Sequence, residues 1–143
     1  MNGQLYENGI LRVFVPSGWK LFCGIDSDGK TSPKKLHIYK NAQTEWDIFS
    51  KAGITICFYG ENEIFLQIRS FYDNVQDMVP FELNGRLWNG YTCTSSGYPY
   101  VMLDAADNGV TFQVMILTKN GEHEISLDDA DVKLILESLN HIN

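Results

Sequence analysis

The chain has 143 residues, 44% of them apolar and 20% charged, with a net charge of −7. One domain fits that length, and a chain of this size buries about 68–70% of its unfolded surface with no need of a metal or disulfide. The acidic balance argues against non-specific capture of nucleic-acid phosphates, which needs an excess of Lys and Arg, and against direct adsorption to anionic lipid.

The charge is uneven. Residues 1–51 hold seven basic and five acidic side chains, whereas residues 101–143 hold two basic and eight acidic ones. A solvated acidic terminal helix accounts for this, with a site for a basic partner at that end as the sharper alternative. The sequence has no apolar run long enough to span a membrane. The opening "MNGQLYENG" has neither the positive n-region nor the apolar h-region of a signal peptide. The expected location is cytoplasmic if this is the full native chain, and extracytoplasmic if an export signal has been trimmed.

In chain order, Asn8-Gly9 releases the chain into a strand over 10–15, which Pro16-Ser17-Gly18 ends because proline donates no ladder hydrogen bond and glycine permits the turn. Residues 19–23 restart as a second strand, with Trp19 anchoring the hairpin in the core. Further strands are predicted at 35–40, 54–59 and 64–68. "QTEWDIFSK", 43–51, is compatible with helix or loop. "SFYDNVQDM", 70–78, has the spacing of a short helix with Phe71, Val75 and Met78 facing inward. Asn84-Gly85 turns "PFEL" back onto "RLWNGYTCT", and Asn89-Gly90 marks a bulge in the second of these strands. Asn108-Gly109, between "YPYVMLDAA" and "VTFQVMILT", is the strongest hairpin signal, since both residues tolerate the positive φ of a type I′ turn. "ISLDDADVKLILESLN" predicts a helix with Ser126 as N-cap and Val132, Ile135, Leu136 and Leu139 along one stripe. The expected architecture is one α+β domain over 1–143, a mainly antiparallel β-sheet with a C-terminal helix packed on it.

Chemistry-bearing motifs are sparse. Cys23, Cys57 and Cys93 lack CxxC spacing and sit in apolar, strand-like runs, as buried structural thiols do. A Cys-His pair would need Cys57 or Cys93 beside His37, with a low-pKa thiolate. His123 and His141 fall in solvated surroundings. "GIDSDGKT", 24–31, suggests a calcium loop, but aligning Asp26, Asp28 and Gly29 to an EF-hand leaves Gly24 first and Lys35 last, where carboxylates are required. "EHE", 122–124, lacks the i, i+4 histidine pair of a helical zinc site. Asp128, Asp129 and Asp131 suit the positive end of a helix dipole. The sequence therefore assigns no catalytic residue, metal site or cofactor, and the expected protein is not an enzyme.

The aromatic pattern carries more. Alternation sets Leu36, Ile38, Ile54, Ile56 and Phe58 on apolar faces, and His37, Tyr39, Thr55, Cys57 and Tyr59 on the opposite ones. Trp88 shares parity with Arg86 and Thr92, while Tyr98, Tyr100 and Met102 alternate together. Helices and loops can cover the mixed set as a minor core, or it can line a groove. The candidate binding residues are His37, Tyr39, Tyr59, Trp88, Tyr98 and Tyr100. The expected function is a non-enzymatic interaction module that takes a protein partner through this aromatic surface, with a small-ligand or carbohydrate-binding domain as the alternative.

The order of elements, with "FVPSGWKLF" near the start and an amphipathic helix after "KNGEHEISLDDADV", resembles the PsbP-like superfamily. Pro16-Ser17-Gly18-Trp19 matches the Pro-x-Gly-Trp turn typical of its opening. That superfamily includes the photosystem II extrinsic subunit P, a Ran-binding nuclear import factor and many bacterial proteins. The resemblance implies an α-β-α sandwich used for docking to partners, usually without catalysis, and it carries over no functional residue.

Overall fold

In a computed structural model, which describes residues 2–66 and 68–142, every strand pairing is antiparallel. Strands are numbered along the chain. The large sheet runs β3 (Trp19–Ile25), β4 (Thr31–Lys40), β5 (Gly53–Tyr59), β10 (Val110–Leu117), β9 (Tyr98–Asp107), β8 (Arg86–Ser95) and β6 (Asp73–Asp77), with β7 (Phe81–Leu83) also on β8. A small sheet joins β1 (Gly3–Glu7), β2 (Leu11–Pro16) and β13 (Asn140–His141), while β11 (Lys119–Asn120) and β12 (His123–Glu124) form a two-residue ladder. One helix, α1 (Ala130–Ser138), follows β12.

The turn chemistry behaves as its residues require. Asn84 and Gly85 have φ of 53° and 79°, and Asn108 and Gly109 have φ of 52° and 88°, so both two-residue hairpin loops are left-handed at each central position. Ser96-Gly97, at 51° and 82°, makes a third such turn between β8 and β9. Pro16-Ser17-Gly18 differs from expectation. It is a corner between sheets and not a hairpin, because β2 pairs with β1 and β13 while β3 pairs with β4. Trp19 is buried just after that corner, and its Nε1 donates to Asp131 Oδ2 at 3.0 Å, tying the start of β3 to the first turn of α1.

Two sequence expectations are corrected around β8. Residues 70–78 do not form the expected short helix. A 3-10 turn at Arg69–Phe71 leads into β6, Phe71 is exposed, and Asn74 at φ 54° sits where the register against β8 slips. Val75, beside the slip, packs on Tyr91, Cys93 and Met102, while Met78, past the end of β6, packs on the principal core from the other face. The bulge expected at Asn89-Gly90 lies instead in the opposing chain, between β6 and β7, where Met78 N–H reaches Gly90 O at 3.1 Å. β8 itself stays in regular register with β9, and a Cβ on Gly90 would come within 2.4 Å of Met102 O. Of the strand expected at 64–68, residues 64–66 and 68 carry no regular structure, and Gln67 lies outside the described residues. Helix α1 begins later than expected: Asp129 is its N-cap, and Ser126 holds the turn before it, accepting from Asp128 N–H through Oγ.

The principal core lies between one face of the large sheet and a cover made of α1 and the small sheet. Leu36, Ile38, Ile54, Ile56, Phe112 and Val114 meet Leu11, Val13, Val132, Ile135 and Leu136 there. The expected helical stripe, Val132, Ile135, Leu136 and Leu139, is fully used. Arg86 closes one end. Its guanidinium pairs with Asp107 at 2.9 Å, donates to Leu139 O at 2.6 Å and lies 4.6 Å over the Phe112 ring.

Candidate functional site

The register assembles the second face of the large sheet into transverse rows. Phe22, His37, Thr55, Met115, Met102 and Tyr91 are successive cross-strand partners from β3 to β8. A parallel row holds Tyr39, Gly53, Leu117, Tyr100 and Cys93. The ring of Tyr39 lies across Gly53, where an added Cβ would stand 2.2 Å from the ring. The two parity sets read from β4 and β5 thus do share faces: Leu36 opposes Ile56 on one, and His37 opposes Thr55 on the other.

Among the described residues no α-helix covers this face. A 3-10 turn, Glu45–Phe49, puts Ile48 on Tyr39, Ala42 and Leu117, while Tyr72 and Val75 cover Tyr91, Cys93 and Met102. Tyr100 touches both small clusters. Between these ends, His37, Thr55 and Met115 form a floor, with His37 and Met115 half-buried.

The six sequence-predicted binding residues separate in three dimensions. Tyr39 and Tyr100 belong to the cluster under Ile48, and His37 lies beside it, its ring 6.3 Å from that of Tyr39. Tyr59 sits at the far end of β5, bonded to Gln113 at 3.2 Å and against Phe65. Tyr98 is exposed at the start of β9. Trp88 is on the other face, in the principal core with 0% exposure. It cannot meet a partner there, which corrects its place in the set; its Nε1 is buried without a hydrogen-bond partner. Parity correctly separated Trp88 from Tyr91, but sequence alone does not say which face the helix covers.

A groove of about 270 Å³ opens beside the 3-10 turn, lined mainly by Phe22, Ile25, His37, Trp46, Ile48 and Phe49. Trp46 and Phe49 are 71% and 72% exposed and stack on each other with ring centroids 6.5 Å apart. Ile25 on the facing strand is 65% exposed. Sequence reasoning missed these residues. The signal was Trp46 and Phe49 three residues apart in the stretch left open between helix and loop, a spacing that puts both on one side of a helical turn.

The polar chemistry of the face is quiet. His37 Nδ1 shares a hydrogen bond with Thr55 Oγ1 at 2.8 Å, and burial, then the Lys35 ammonium, hold its pKa below the ordinary 6.5. Burial pushes the Cys57 and Cys93 thiols up, away from nucleophilic thiolates. Burial also pushes Tyr39 and Tyr91 up to about 12. In the 24–31 segment, Asp28 accepts from Lys30 N–H and Asp26 belongs to the β3–β4 turn. Among the described residues no cluster of His, Cys, Asp and Glu could hold a metal, and no helix is long and apolar enough to cross a membrane.

No protein-family model and no curated protein matches the chain in sequence. Among solved structures it is similar to cyanobacterial PsbP (CyanoP) from Synechocystis sp. PCC 6803, whose solution structure superposes with a TM-score of 0.53 over 97% of this chain and 92% of that one. The fold is PsbP-like. At 10% sequence identity the likeness is one of fold alone, a mainly antiparallel PsbP-like sheet with a C-terminal helix. Where the resemblance implied a second helical layer, the described residues give a 3-10 turn, Glu45–Phe49, and the side chains of Tyr72 and Val75.

Proposed function

We propose that the protein is a non-enzymatic interaction module that docks another protein through the aromatic end of its second sheet face. The observation that carries this is the exposed Trp46–Phe49 stack beside Ile25, rimming a groove floored by Phe22 and His37. Large aromatics held in a fixed pair at the surface are the kind of anchor that dominates protein interfaces, since they bury much area at little entropic cost. The PsbP-like fold supports the reading. The groove is only about half enclosed, which suits a protein surface better than a small sugar or metabolite that needs enclosure.

Site-specific photo-crosslinking tests it. A benzophenone residue in place of Trp46 should yield a discrete protein adduct in lysate of the native host, and the same probe in place of the exposed Leu5 of β1 should not. Trp46→Ala/Phe49→Ala should abolish capture of that partner with the fold intact. Equal adducts from both positions, or turnover in a hydrolase panel, would reverse the reading.

A further inference from the structure

His37 is the titratable side chain in the floor of the groove, between apolar walls of Phe22, Ile25, Trp46, Ile48 and Phe49. Thr55 Oγ1 holds Nδ1 of its ring at 2.8 Å. Among the described residues Nε2 has no hydrogen-bond partner, and it is not buried, so water serves it. The charged and titratable groups around the ring are engaged elsewhere or stay at the rim. Lys35, two residues earlier on β4, lays its stem against Gly24, and Lys20 Nζ donates to Gln43 O at 3.0 Å. Cys23 turns its thiol to the Tyr6 hydroxyl at 3.3 Å, and burial raises the Cys57 thiol on β5. On the 3-10 turn Asp47 accepts from Gln43 and Thr44 N–H at 2.7 and 3.1 Å, while Glu45, which also lines the groove, is exposed. Among the described residues no carboxylate pairs with the His37 ring.

We propose that His37 is a proton switch for the groove, which takes an uncharged apolar side chain of the partner when the ring is neutral and releases it when the ring is protonated. This switch rests on the docking reading of the groove and adds regulation to it. A protonated imidazole has two N–H donors. Thr55 Oγ1 can accept from Nδ1, but Nε2 has only water. An apolar side chain seated in the groove displaces that water and leaves a covered charge with no partner. A neutral ring loses far less, because it brings no charge under the cover. Burial, then the Lys35 ammonium, already hold the ring's pKa below 6.5 with the groove open, and an apolar cover desolvates the ring further. Linkage is reciprocal, so whatever the cover does to the proton, the proton does to the cover: affinity is full at neutral pH and falls as pH drops through the open groove's pKa.

N-acetyl-tryptophan amide, a neutral stand-in for such a side chain, tests the switch in amide chemical-shift titrations of the whole chain near pH 7.5 and near pH 5. Shifts are expected at Phe22, Ile25 and Phe49, with affinity about fivefold weaker at the lower pH. In His37→Gln the two affinities should agree within about twofold, whatever their absolute values, whereas Glu45→Gln should keep the difference. The His37 ring resonances of the unaltered chain give a second reading that needs no variant: excess probe should lower the ring's pKa. Equal affinity at both pH values overturns the proposal, and so does tighter binding in acid, which would mark an acceptor over Nε2. A pH dependence that survives His37→Gln, or a ring pKa that the probe leaves in place, overturns it too. So does a probe that binds the groove at neither pH, in which case partner capture through Trp46 still decides the docking reading on its own.

Discussion

The two faces of the large sheet arise from one alternation of residues, yet they end in different states. On one face α1 and the small sheet seal a continuous core in which Phe112, Ile54, Ile56 and Trp88 have no exposed surface. On the other, two small clusters sit at opposite ends, joined through Tyr100, with half-buried His37 and Met115 between them. The sealed face holds the larger share of the fully buried side chains. The second face has two smaller clusters and keeps aromatics at the surface beside them.

Substitutions should separate the faces, beginning with the largest effect. Phe112→Ala, in the sealed core, should cost about 3–5 kcal/mol in a denaturant titration, against roughly 1 kcal/mol for Met115→Ala on the opposite face of β10. Similar losses at both sites would mean that the second face is equally structural. Arg86→Ala should cost about 2 kcal/mol, because it strips a charged hydrogen bond from Leu139 O and leaves Asp107 without its partner. Trp19→Phe removes the bond to Asp131 and part of a buried ring, so a loss of about 1–2 kcal/mol is expected.

Acid and alkali sharpen the contrast from the second face. His37 has its folded pKa below 6.5, so the unfolded chain binds the proton first and stability falls as pH drops below 6.5. Tyr39 is raised from 10.0 to about 12, so the unfolded chain ionises first and stability falls as pH rises from about 10 toward 12. Chemical-denaturation midpoints of His37→Gln and Tyr39→Phe against pH should each make one limb shallower, the alkaline one only in part because Tyr91 is raised to about 12 as well; unchanged limbs would refute the assignment. The smallest effect belongs to Trp46→Ala and Phe49→Ala, which should leave stability within about 0.5 kcal/mol.

Much of this was legible in the residues. Asn-Gly pairs gave the β7–β8 and β9–β10 hairpins because only a few residue types accept left-handed φ at both central positions. Ser96-Gly97 makes the same turn but escaped notice, since serine is seldom found there. Alternation separated the parity sets, while register, which decides whether those sets share a surface, depends on partners distant in sequence. The corner at Pro16-Ser17-Gly18 was readable as a stop but not as a change of sheet. The helical spacing of Phe71, Val75 and Met78 misled because the slip at Asn74 sends the three apart: Phe71 is exposed, Val75 packs on the second face and Met78 on the principal core. Of the candidate site, His37 was found from its parity; Trp46 and Phe49 were not, because a single 3-10 turn is too short to leave a periodic signature.

The latch between Trp19 and Asp131 has a consequence for synthesis. All strands of the large sheet leave the ribosome before the helix that shields them, so a growing chain carries a bare oily surface until that helix emerges. A nascent chain stalled just short of residue 130 should therefore recruit holding chaperones, and release of a few more turns should let them go.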